Sequence, residues 1–150
     1  MSELNAEKSV ENKIRHFRDK ADHNKKEALR GFKFVMFSTV AVPLLIAFGA
    51  GDIWSKYVPA SLSSLGAFVT AWLQLRKPNQ LWSLYRTAER NLEYHLELYR
   101  FNAGEYKNCN DKEANFIENT NIICLNTNSS WVELVPSEKE LSKLKQKKGQ

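Results

Sequence analysis

Two uncharged apolar runs dominate the pattern of hydrophobic and polar positions along this chain. Residues 34–51 carry no charged side chain over 18 positions, and residues 57–75 carry none over 19. At a rise of 1.5 Å per residue, α-helices of these lengths would measure about 27 and 28 Å. The hydrocarbon core of a bilayer is about 30 Å thick. Because only residues 52–56 separate the runs, the pattern predicts a transmembrane helical hairpin with spans at 31–51 and 57–75.

A pair of buried core helices in a soluble bundle is the alternative interpretation of the same runs. Helices of soluble proteins carry a polar face, whereas the first run offers only Ser38 and Thr39 for one. The mean hydropathy of −0.48 is typical of a soluble protein, but it averages over a chain whose apolar residues are concentrated in the two runs. The sequence therefore favours an all-α membrane protein.

The segment before the hairpin is predicted to be a polar helix over residues 8–30. Its apolar residues recur at four- and three-residue steps, which is the a/d spacing of a coiled-coil seam. The seam positions are Val10, Ile14, Phe17, Ala21, Asn24 and Ala28. A seam this weak would be marginal in water by itself, so we expect it to pack on the helices after the hairpin.

Two further helices are predicted within residues 79–134. Residues 81–102 show the strongest helical pattern outside the hairpin, and Gly104 is the predicted stop. Their apolar stripe consists of Leu81, Leu84, Tyr85, Ala88, Leu92, His95, Leu96 and Tyr99. The last helix is predicted over 112–134 with Asp111 as its N-cap, and its apolar positions are Ala114, Phe116, Ile117, Ile122, Ile123, Leu125, Trp131 and Leu134. A basic mobile tail over 135–150 completes a single domain, 1–150.

The basic residues closest to the spans predict the orientation of the hairpin. The net charge is +5, and Lys or Arg alternate with Asp or Glu in both flanking segments, which argues against a nucleic-acid-binding arm. The cations nearest the spans are Lys25, Lys26, Arg30 and Lys33 before the first, and Arg76 and Lys77 after the second. Basic flanks stay in the cytoplasm, so we expect a multi-pass inner-membrane protein with both termini cytoplasmic.

Pro43 and a row of small residues distinguish the two spans. Pro43 removes a backbone donor from the first span and predicts a kink, either an ordinary structural one or the hinge of a pore. In the second span, Ser63, Ala67, Thr70 and Gln74 share one face. Small residues let membrane helices approach closely, so this face could pack on the first span, on other subunits, or along a wet central axis. Two helices cannot enclose a pore, so a channel requires a homo-oligomer.

No pattern of residues in the chain predicts catalysis. His16, His23 and His95 have no Cys, Asp or Glu at ligand spacing, so neither a metal site nor a cofactor is expected. The carboxylates of the flanking helices have basic neighbours, which is typical of a solvated surface. Cys109 and Cys124 match no common metal motif and are predicted to be free thiols. The protein is therefore not predicted to be an enzyme.

Residues 81–106, LWSLYRTAERNLEYHLELYRFNAGEY, carry a motif that follows directly after the hairpin. Its defining positions are Trp82, Arg86, Ala88, Glu89, Leu92, Tyr99, Gly104 and Tyr106. In this motif, and in the succession of a polar helix, a two-span hairpin, a long helix and a last helix, the chain resembles the SLATT-type domains. These are two-transmembrane effector domains of bacterial conflict systems, and the resemblance covers nearly the whole chain.

The resemblance implies a membrane effector that forms an oligomeric pore or ion channel and perturbs the bacterial inner membrane in anti-phage defence. Its partners would be the lipid bilayer, further copies of the chain, and a nucleotide-sensing or other regulatory protein. A non-conducting, membrane-anchored helical scaffold that recruits a cytoplasmic partner is the alternative. The seam at 10–28 and the stripe at 81–99 would serve that function equally well.

Extraction tests the membrane interpretation. We expect the protein to remain in the membrane pellet after an alkaline carbonate wash and to dissolve only in detergent, because two uncharged helices need an apolar environment. A peripheral membrane protein of the same host is the control, since carbonate should release it. Recovery of the chain in the aqueous fraction without detergent would support the soluble bundle instead.

Overall fold

The computed structural model describes residues 2–107 and 109–135, and it contains helices joined by short connections. Within these ranges 92% of the residues are helical and none is in a β-strand, so the predicted all-α class is confirmed. The helices are α1 (Ser2–Phe48), α2 (Val58–Arg76), α3 (Pro78–Arg100) and α4 (Lys112–Leu134). A π-helical turn (Ile53–Tyr57) and a 3-10 turn (Gly104–Tyr106) lie in the connections. The predicted tail lies, from residue 136 onward, outside the described residues.

The described residues form two compact units. The hairpin unit is Lys25–Pro78, which holds the second part of α1 and all of α2. The bundle unit consists of the described parts of Met1–Asn24 and Asn79–Gln150. It therefore holds the first part of α1, α4, and all but the first residue of α3. The two units separate the apolar hairpin from the polar helices.

Helix α1 runs without interruption through the predicted polar helix at 8–30 and into the predicted span at 31–51. Gly31, where these two segments meet, lies inside the helix. A Cβ atom at this position would come within 2.8 Å of the Leu73 side chain, so the glycine makes room for α2. Pro43 is also inside α1. A helix can continue through proline when the loss of one backbone donor is outweighed by the contacts around it.

The chain reverses earlier than the predicted loop at 52–56. Helix α1 ends at Phe48, and helical structure resumes at Gly51, whose φ of +79° is a left-handed conformation that glycine adopts without strain. The backbone freedom of Gly51, rather than the first charged residue, sets the position of the turn. Asp52 and Lys56 form an ion pair of 2.9 Å on the following helical turn, with both side chains exposed.

The hairpin helices approach each other along a stripe of small and apolar residues. On α2 the buried and half-buried positions at helical spacing are Pro59, Leu62, Gly66, Val69 and Leu73. A Cβ atom built on Gly66 would lie 3.7 Å from the Cβ of Ser38 in α1. Ser38 is 4% exposed, and its hydroxyl donates to a carbonyl of its own helix. Gly66 thus lies at van der Waals distance from Ser38 of the facing helix, and small residues at such contacts are common between membrane helices.

In the bundle unit, the seam predicted on α1 packs against the stripe predicted on α3, and this prediction is confirmed. One hydrophobic cluster contains Val10, Ile14, Leu92, Leu96, Tyr99, Tyr106 and Phe116. A second contains Ala21, Leu81 and Tyr85. Burying a large apolar side chain stabilises a fold by roughly 1.5–3 kcal/mol, so these clusters compensate for the weakness of the isolated seam.

The buried face of α4 differs from the predicted one. Phe116 is fully buried as expected, but Ile122 and Leu125 are 46% and 65% exposed. Thr120 and Thr127 are buried instead. Each threonine hydroxyl donates to a backbone carbonyl about one turn back in α4, so threonine occupies a core position without leaving its hydroxyl unpaired. Ranking positions by hydropathy alone misses this.

Local backbone signals set the ends of α3 and α4. Helix α3 ends at Arg100, and Asn102, with a φ of +52°, occupies the left-handed position that closes it with the backbone bonds of a Schellman motif. The predicted stop, Gly104, lies two residues later. Helix α4 follows Asp111, whose carboxylate accepts a hydrogen bond of 3.0 Å from the Ala114 N–H. The predicted N-cap is confirmed.

The contact between Ser38 and Gly66 predicts a disulfide when both are replaced by cysteine. Disulfide-bonded cysteines have Cβ atoms about 3.5–4.5 Å apart, and these positions offer 3.7 Å. In a C109S/C124S background, S38C/G66C should therefore crosslink within one chain under mild oxidation. Loss of maleimide-reactive thiols from the monomer band is the measurement.

The matched control pairs S38C with A67C. Ala67 is the next residue along α2, about 100° around the helix, and should not crosslink within the chain. Equal intramolecular crosslinking of both pairs would contradict the described packing of the hairpin.

Candidate functional site

The predicted pore-lining or subunit-packing face of α2 is largely exposed in the single chain. Ser63, Ala67 and Gln74 are exposed, and Thr70 is half-buried. They lie beside the stripe of Gly66 that approaches α1, because successive residues are about 100° apart around a helix. Ser63, Ala67 and Gln74 therefore do not pack on the first span of their own chain. Contact with other subunits and a wet central axis are the two predicted surroundings that stay open for this face.

Two polar groups on this face have no hydrogen-bond partner in the part of the chain that the structure describes. The hydroxyls of Ser61, Ser64 and Thr70 each donate to the carbonyl four residues back, at 2.8–3.0 Å. The Ser63 hydroxyl and the Gln74 amide make no such bond. A polar group in hydrocarbon is costly unless it is bonded, so the Ser63 hydroxyl requires a partner from elsewhere in a membrane. Gln74 lies two residues before Arg76, at the end of the span where water or lipid headgroups can bond it.

The rest of the outer surface of the hairpin unit is apolar. Two helical stretches each contain an 18-residue window apolar enough to cross a membrane, and only 6% and 11% of these windows are buried. Phe37, Val40 and Phe68 are 67%, 62% and 66% exposed. A core helix of a soluble protein would bury most of such a window. Two long apolar helices that could span a membrane are therefore present, and their exposure argues against the soluble bundle.

A carboxylate joins the two helices at one end of the hairpin unit. Glu27 of α1 accepts a hydrogen bond of 3.2 Å from the indole N–H of Trp72, and its other oxygen lies 3.2 Å from Nε of Arg76. The Glu27 side chain is 22% exposed, so this pair is less screened by water than a surface pair. Helical periodicity cannot reveal this contact, since 45 residues separate Glu27 from Trp72.

Pro43 lies on the exposed side of α1, close to two residues that also favour bending. The hydroxyls of Ser38 and Thr39 donate to the carbonyls of Phe34 and Val35, at 2.9 and 2.8 Å. Such bonds within a helix often accompany a bend, and proline acts on the same turns. This stretch of α1 therefore concentrates three side chains that weaken or redirect the backbone ladder.

The motif after the hairpin contains a buried carboxylate. Glu89 is 2% exposed and is bound by two guanidinium groups, at 2.6 Å by Arg86 of the same helix and at 2.7 Å by Arg18 of α1. Arg86 also binds Asp22, and Arg18 also binds Glu93. The hydrogen bond with Glu89 is the main cause that raises the pKa of Arg18. The network therefore keeps Arg18 charged and fastens α1 to α3 within the bundle unit.

The sequence places Glu89 on a solvated surface, and this prediction is wrong. A buried carboxylate without partners would cost several kcal/mol, and Arg18 supplies the partner from 71 residues away. Arg18 is the residue of this site that sequence reasoning missed. The available signal is positional, since Glu89 follows Ala88 of the α3 stripe and Arg18 follows Phe17 of the α1 seam.

The aromatic residues of the motif belong to the hydrophobic clusters of the bundle unit or pack against them. Tyr99 stacks on Phe116 with ring centroids 4.2 Å apart, and Tyr106 meets both rings edge-on at 5.9 Å. The φ of Gly104, +58°, is strained for other residues and allows the 3-10 turn that delivers Tyr106. Trp82 is half-buried and packs on the cluster of Ala21, Leu81 and Tyr85. The motif thus consists of packing and ion-pair positions.

His95, which appears isolated in the sequence, has two partners. Its Nδ1 lies 2.9 Å from the Tyr106 hydroxyl and 3.0 Å from a carboxylate oxygen of Glu105. Asn119 donates to the same hydroxyl at 3.3 Å. Burial raises the pKa of Tyr106, against a smaller opposing contribution from the Asn119 hydrogen bond. The hydroxyl therefore stays protonated at neutral pH.

Both cysteines are free, half-buried thiols, as predicted. Burial raises the pKa of Cys124, and the nearby Lys13 lowers it by less. A protonated thiol is a poor nucleophile and a poor metal ligand. Over residues 2–107 and 109–135, no three His, Cys, Asp or Glu side chains are grouped so that they could hold a metal ion.

Comparison with known protein families gives a match over most of the chain. Residues 13–114 match the family described as Protein of unknown function (DUF4231). No curated protein and no solved structure matches the chain. The matched region contains both hairpin helices, all of α3 and the Glu89 network, and it ends shortly after α4 begins.

Removing Arg86 tests the Glu89 network. Arg86→Ala leaves the buried carboxylate with Arg18 alone, and hydrogen bonds to charged groups contribute about 1.5–3 kcal/mol each, so we expect a loss of stability of that size. Chemical denaturation of the full chain in detergent, followed by circular dichroism, measures it. Arg90→Ala is the matched control, because Arg90 is 73% exposed and its ion pair with Glu93 is long, at 3.7 Å. This substitution should lower the stability by less than about 0.5 kcal/mol. Equal losses for both variants would contradict the role of Arg86.

Proposed function

We propose that this chain, which belongs to the DUF4231 family of unknown function, is a homo-oligomeric membrane protein that forms a pore or ion channel. In this proposal residues 31–51 and 57–75 cross the bacterial inner membrane, and both termini lie in the cytoplasm. Opening of the pore perturbs that membrane in defence against phage. The setting rests on the resemblance of residues 81–106 to the SLATT-type domains.

The observation that carries the proposal is the exposed polar face of α2. Ser63 and Gln74 lie on it about 16 Å apart along the helix axis, and neither group is bonded within the described residues. For the Ser63 hydroxyl, which lies deeper in the span than Gln74, being unsatisfied away from water would cost roughly 1–3 kcal/mol. Contact with neighbouring subunits, or with water in a central channel, removes that cost. The small side chain of Ala67 between them leaves room for either.

A pore with this lining has a definable chemistry. One hairpin cannot enclose a channel, so several copies must place the α2 face towards a common axis. Exposed apolar side chains of α1, such as Phe37 and Val40, would then contact lipid. Because residues 57–75 carry no charged side chain, the lining would consist of hydroxyl, amide and methyl groups. Such a pore discriminates weakly between cations and anions, since no ring of charge selects one sign.

The bundle unit is the proposed site of control. Its helices are held by two apolar clusters and by the Glu89 network, which give a regulatory protein a folded surface to recognise. The resemblance to the SLATT-type domains implies that this regulator senses a nucleotide. Helix α1 supplies residues to both units as one helix, so it is the element on which we expect such a partner to act.

A non-conducting membrane-anchored scaffold is the second candidate, and α4 supplies the observation that favours it. Ile122, Leu125 and Val132 are 46%, 65% and 60% exposed. Their spacing of three and seven residues puts them on one face of α4. A cytoplasmic partner helix could cover this face. The scaffold needs the hairpin only as an anchor and assigns no role to Ser63 and Gln74.

Ala67→Leu tests the inner position of the α2 face. Overpacking a close contact typically costs 1–3 kcal/mol, which corresponds to a loss of about five- to a hundredfold. We therefore expect dye leakage from liposomes containing the purified protein to fall by that factor, or the oligomer to dissociate in detergent. Ser61→Leu is the matched control, because Ser61 shares the exposed face of Phe68, seven residues on, and should leak like the unmodified protein.

The outcomes separate the two functions. Leakage that falls only with Ala67→Leu supports an inner α2 face. Equal leakage from both variants would place the Ala67 face in lipid. An intact, membrane-inserted oligomer that never leaks, together with a stable co-purifying cytoplasmic protein, would replace the pore with the scaffold.

A further inference from the structure

One stripe of α1 changes from cationic to apolar within the hairpin unit, and we propose that it is a binding site for an anionic phospholipid of the surrounding bilayer. The stripe follows four- and three-residue steps along Lys26, Arg30, Lys33, Phe37, Val40 and Leu44. All of these residues are exposed, and α1 is unbroken across them, so they share one face. The inference rests on the membrane insertion in the proposed function and is independent of conduction.

The cations of the stripe have no counter-ion within the described chain. No ion pair or hydrogen bond engages the side chain of Lys26, Arg30 or Lys33 among residues 2–107 and 109–135. The acids within residues 25–78 are Glu27 and Asp52. Glu27 is engaged by Arg76 and Trp72, and Asp52 by Lys56. No ion pair of the described chain therefore neutralises the stripe, which leaves its cations available to a phosphate group.

The length of the apolar part fits one leaflet of a bilayer. From Lys33 to Leu44 the helix rises about 16 Å, and half of a hydrocarbon core is about 15 Å. Phe37, Val40 and Leu44 are 67%, 62% and 53% exposed along this length. With Lys33 at the level of the headgroups, an acyl chain would lie along the three apolar side chains while its phosphate meets the cations. Arg30 and Lys26 lie about 4.5 and 10 Å beyond Lys33 on its aqueous side, and their long side chains can reach back towards the headgroup.

The stripe is separate from the contact between the hairpin helices. Ser38, which faces Gly66 of α2, is five residues after Lys33 and therefore about 140° around α1 from it. The polar face of Ser63 and Gln74 belongs to α2. A lipid on the α1 stripe would therefore occupy neither the approach to α2 nor the proposed inner face.

A ligand that contacts both the cations and the apolar side chains of the stripe must carry a negative charge and an acyl chain. This favours a lipid over a free phosphate. Inorganic phosphate or a soluble headgroup would meet the cations and leave Phe37, Val40 and Leu44 without a contact. A zwitterionic lipid would use the apolar half and bring no net negative charge. An anionic phospholipid supplies both interactions at once, with about 1 kcal/mol, or roughly fivefold in affinity, from each cation at the surface.

Native mass spectrometry of the delipidated full chain in neutral detergent tests the site. Phosphatidylglycerol and phosphatidylcholine with the same acyl chains are titrated separately, and we expect phosphatidylglycerol to bind at least about tenfold more tightly. The triple variant K26Q/R30Q/K33Q should lose about a hundredfold of that affinity, at roughly fivefold per cation. Its affinity for phosphatidylcholine should not change.

The matched control removes the same charge outside the hairpin unit. K8Q/R15Q/K107Q replaces three exposed cations of the bundle unit and should bind phosphatidylglycerol within about twofold of the unmodified chain, allowing for weak long-range screening. Circular dichroism should be the same for both triple variants, because none of the replaced side chains has a partner among the described residues. Soluble glycerol 3-phosphate, added in excess, should not displace the bound lipid.

Three results would overturn the inference: equal binding of both lipids, equal loss in both triple variants, or displacement by glycerol 3-phosphate. The last would reveal a free-phosphate site. Lipid preference without leakage from liposomes would retain the lipid site and reject the pore. Leakage without lipid preference would do the reverse, and extraction without detergent would reject both.

Discussion

The close approach of α2 to α1 at Gly66 and Ser38 is the constraint on which the hairpin depends. A Cβ atom at Gly66 would be in ordinary van der Waals contact with Ser38, 3.7 Å away, whereas one at Gly31 would come within 2.8 Å of the Leu73 side chain. Together these contacts set which faces of α1 and α2 meet. Once these two faces are set, the positions of all other faces follow from helical geometry. The polar face of α2 and the cationic-to-apolar stripe of α1 are outward-facing for this reason.

The bundle unit is organised by a different interaction. Glu89 is buried between Arg18 and Arg86, and a charge in such a place is tolerated only when its partners are well positioned. Hydrophobic packing is less selective, because neighbouring apolar residues can often replace one another with small losses. The network therefore restricts the alignment of α1 and α3 to the one that brings Arg18 to Glu89. The apolar clusters do not impose this restriction.

Much of this architecture could be predicted from the sequence, because it depends on local periodicity. The uncharged runs, the α1 seam, the α3 stripe and the Asp111 cap are all set by residues within a few turns of one another. The misses have long-range or backbone causes. Arg18 reaches Glu89 across 71 residues, buried Thr120 and Thr127 satisfy their own hydroxyls, and the turn is placed by Gly51 ahead of the charged residues. The candidate face of α2 could be located by spacing, but its exposure required the position of α1.

The ion pair of Asp52 and Lys56 has a consequence for how such a hairpin would be assembled in a membrane. These are the only charged residues between Lys33 and Arg76, and they lie 2.9 Å apart on one helical turn. Carrying a unit charge through a membrane potential involves about 2.3 kcal/mol per 100 mV, but a paired turn carries no net charge. The potential would therefore neither assist nor oppose translocation of the turn, leaving hydrophobic transfer of the two helices to drive insertion.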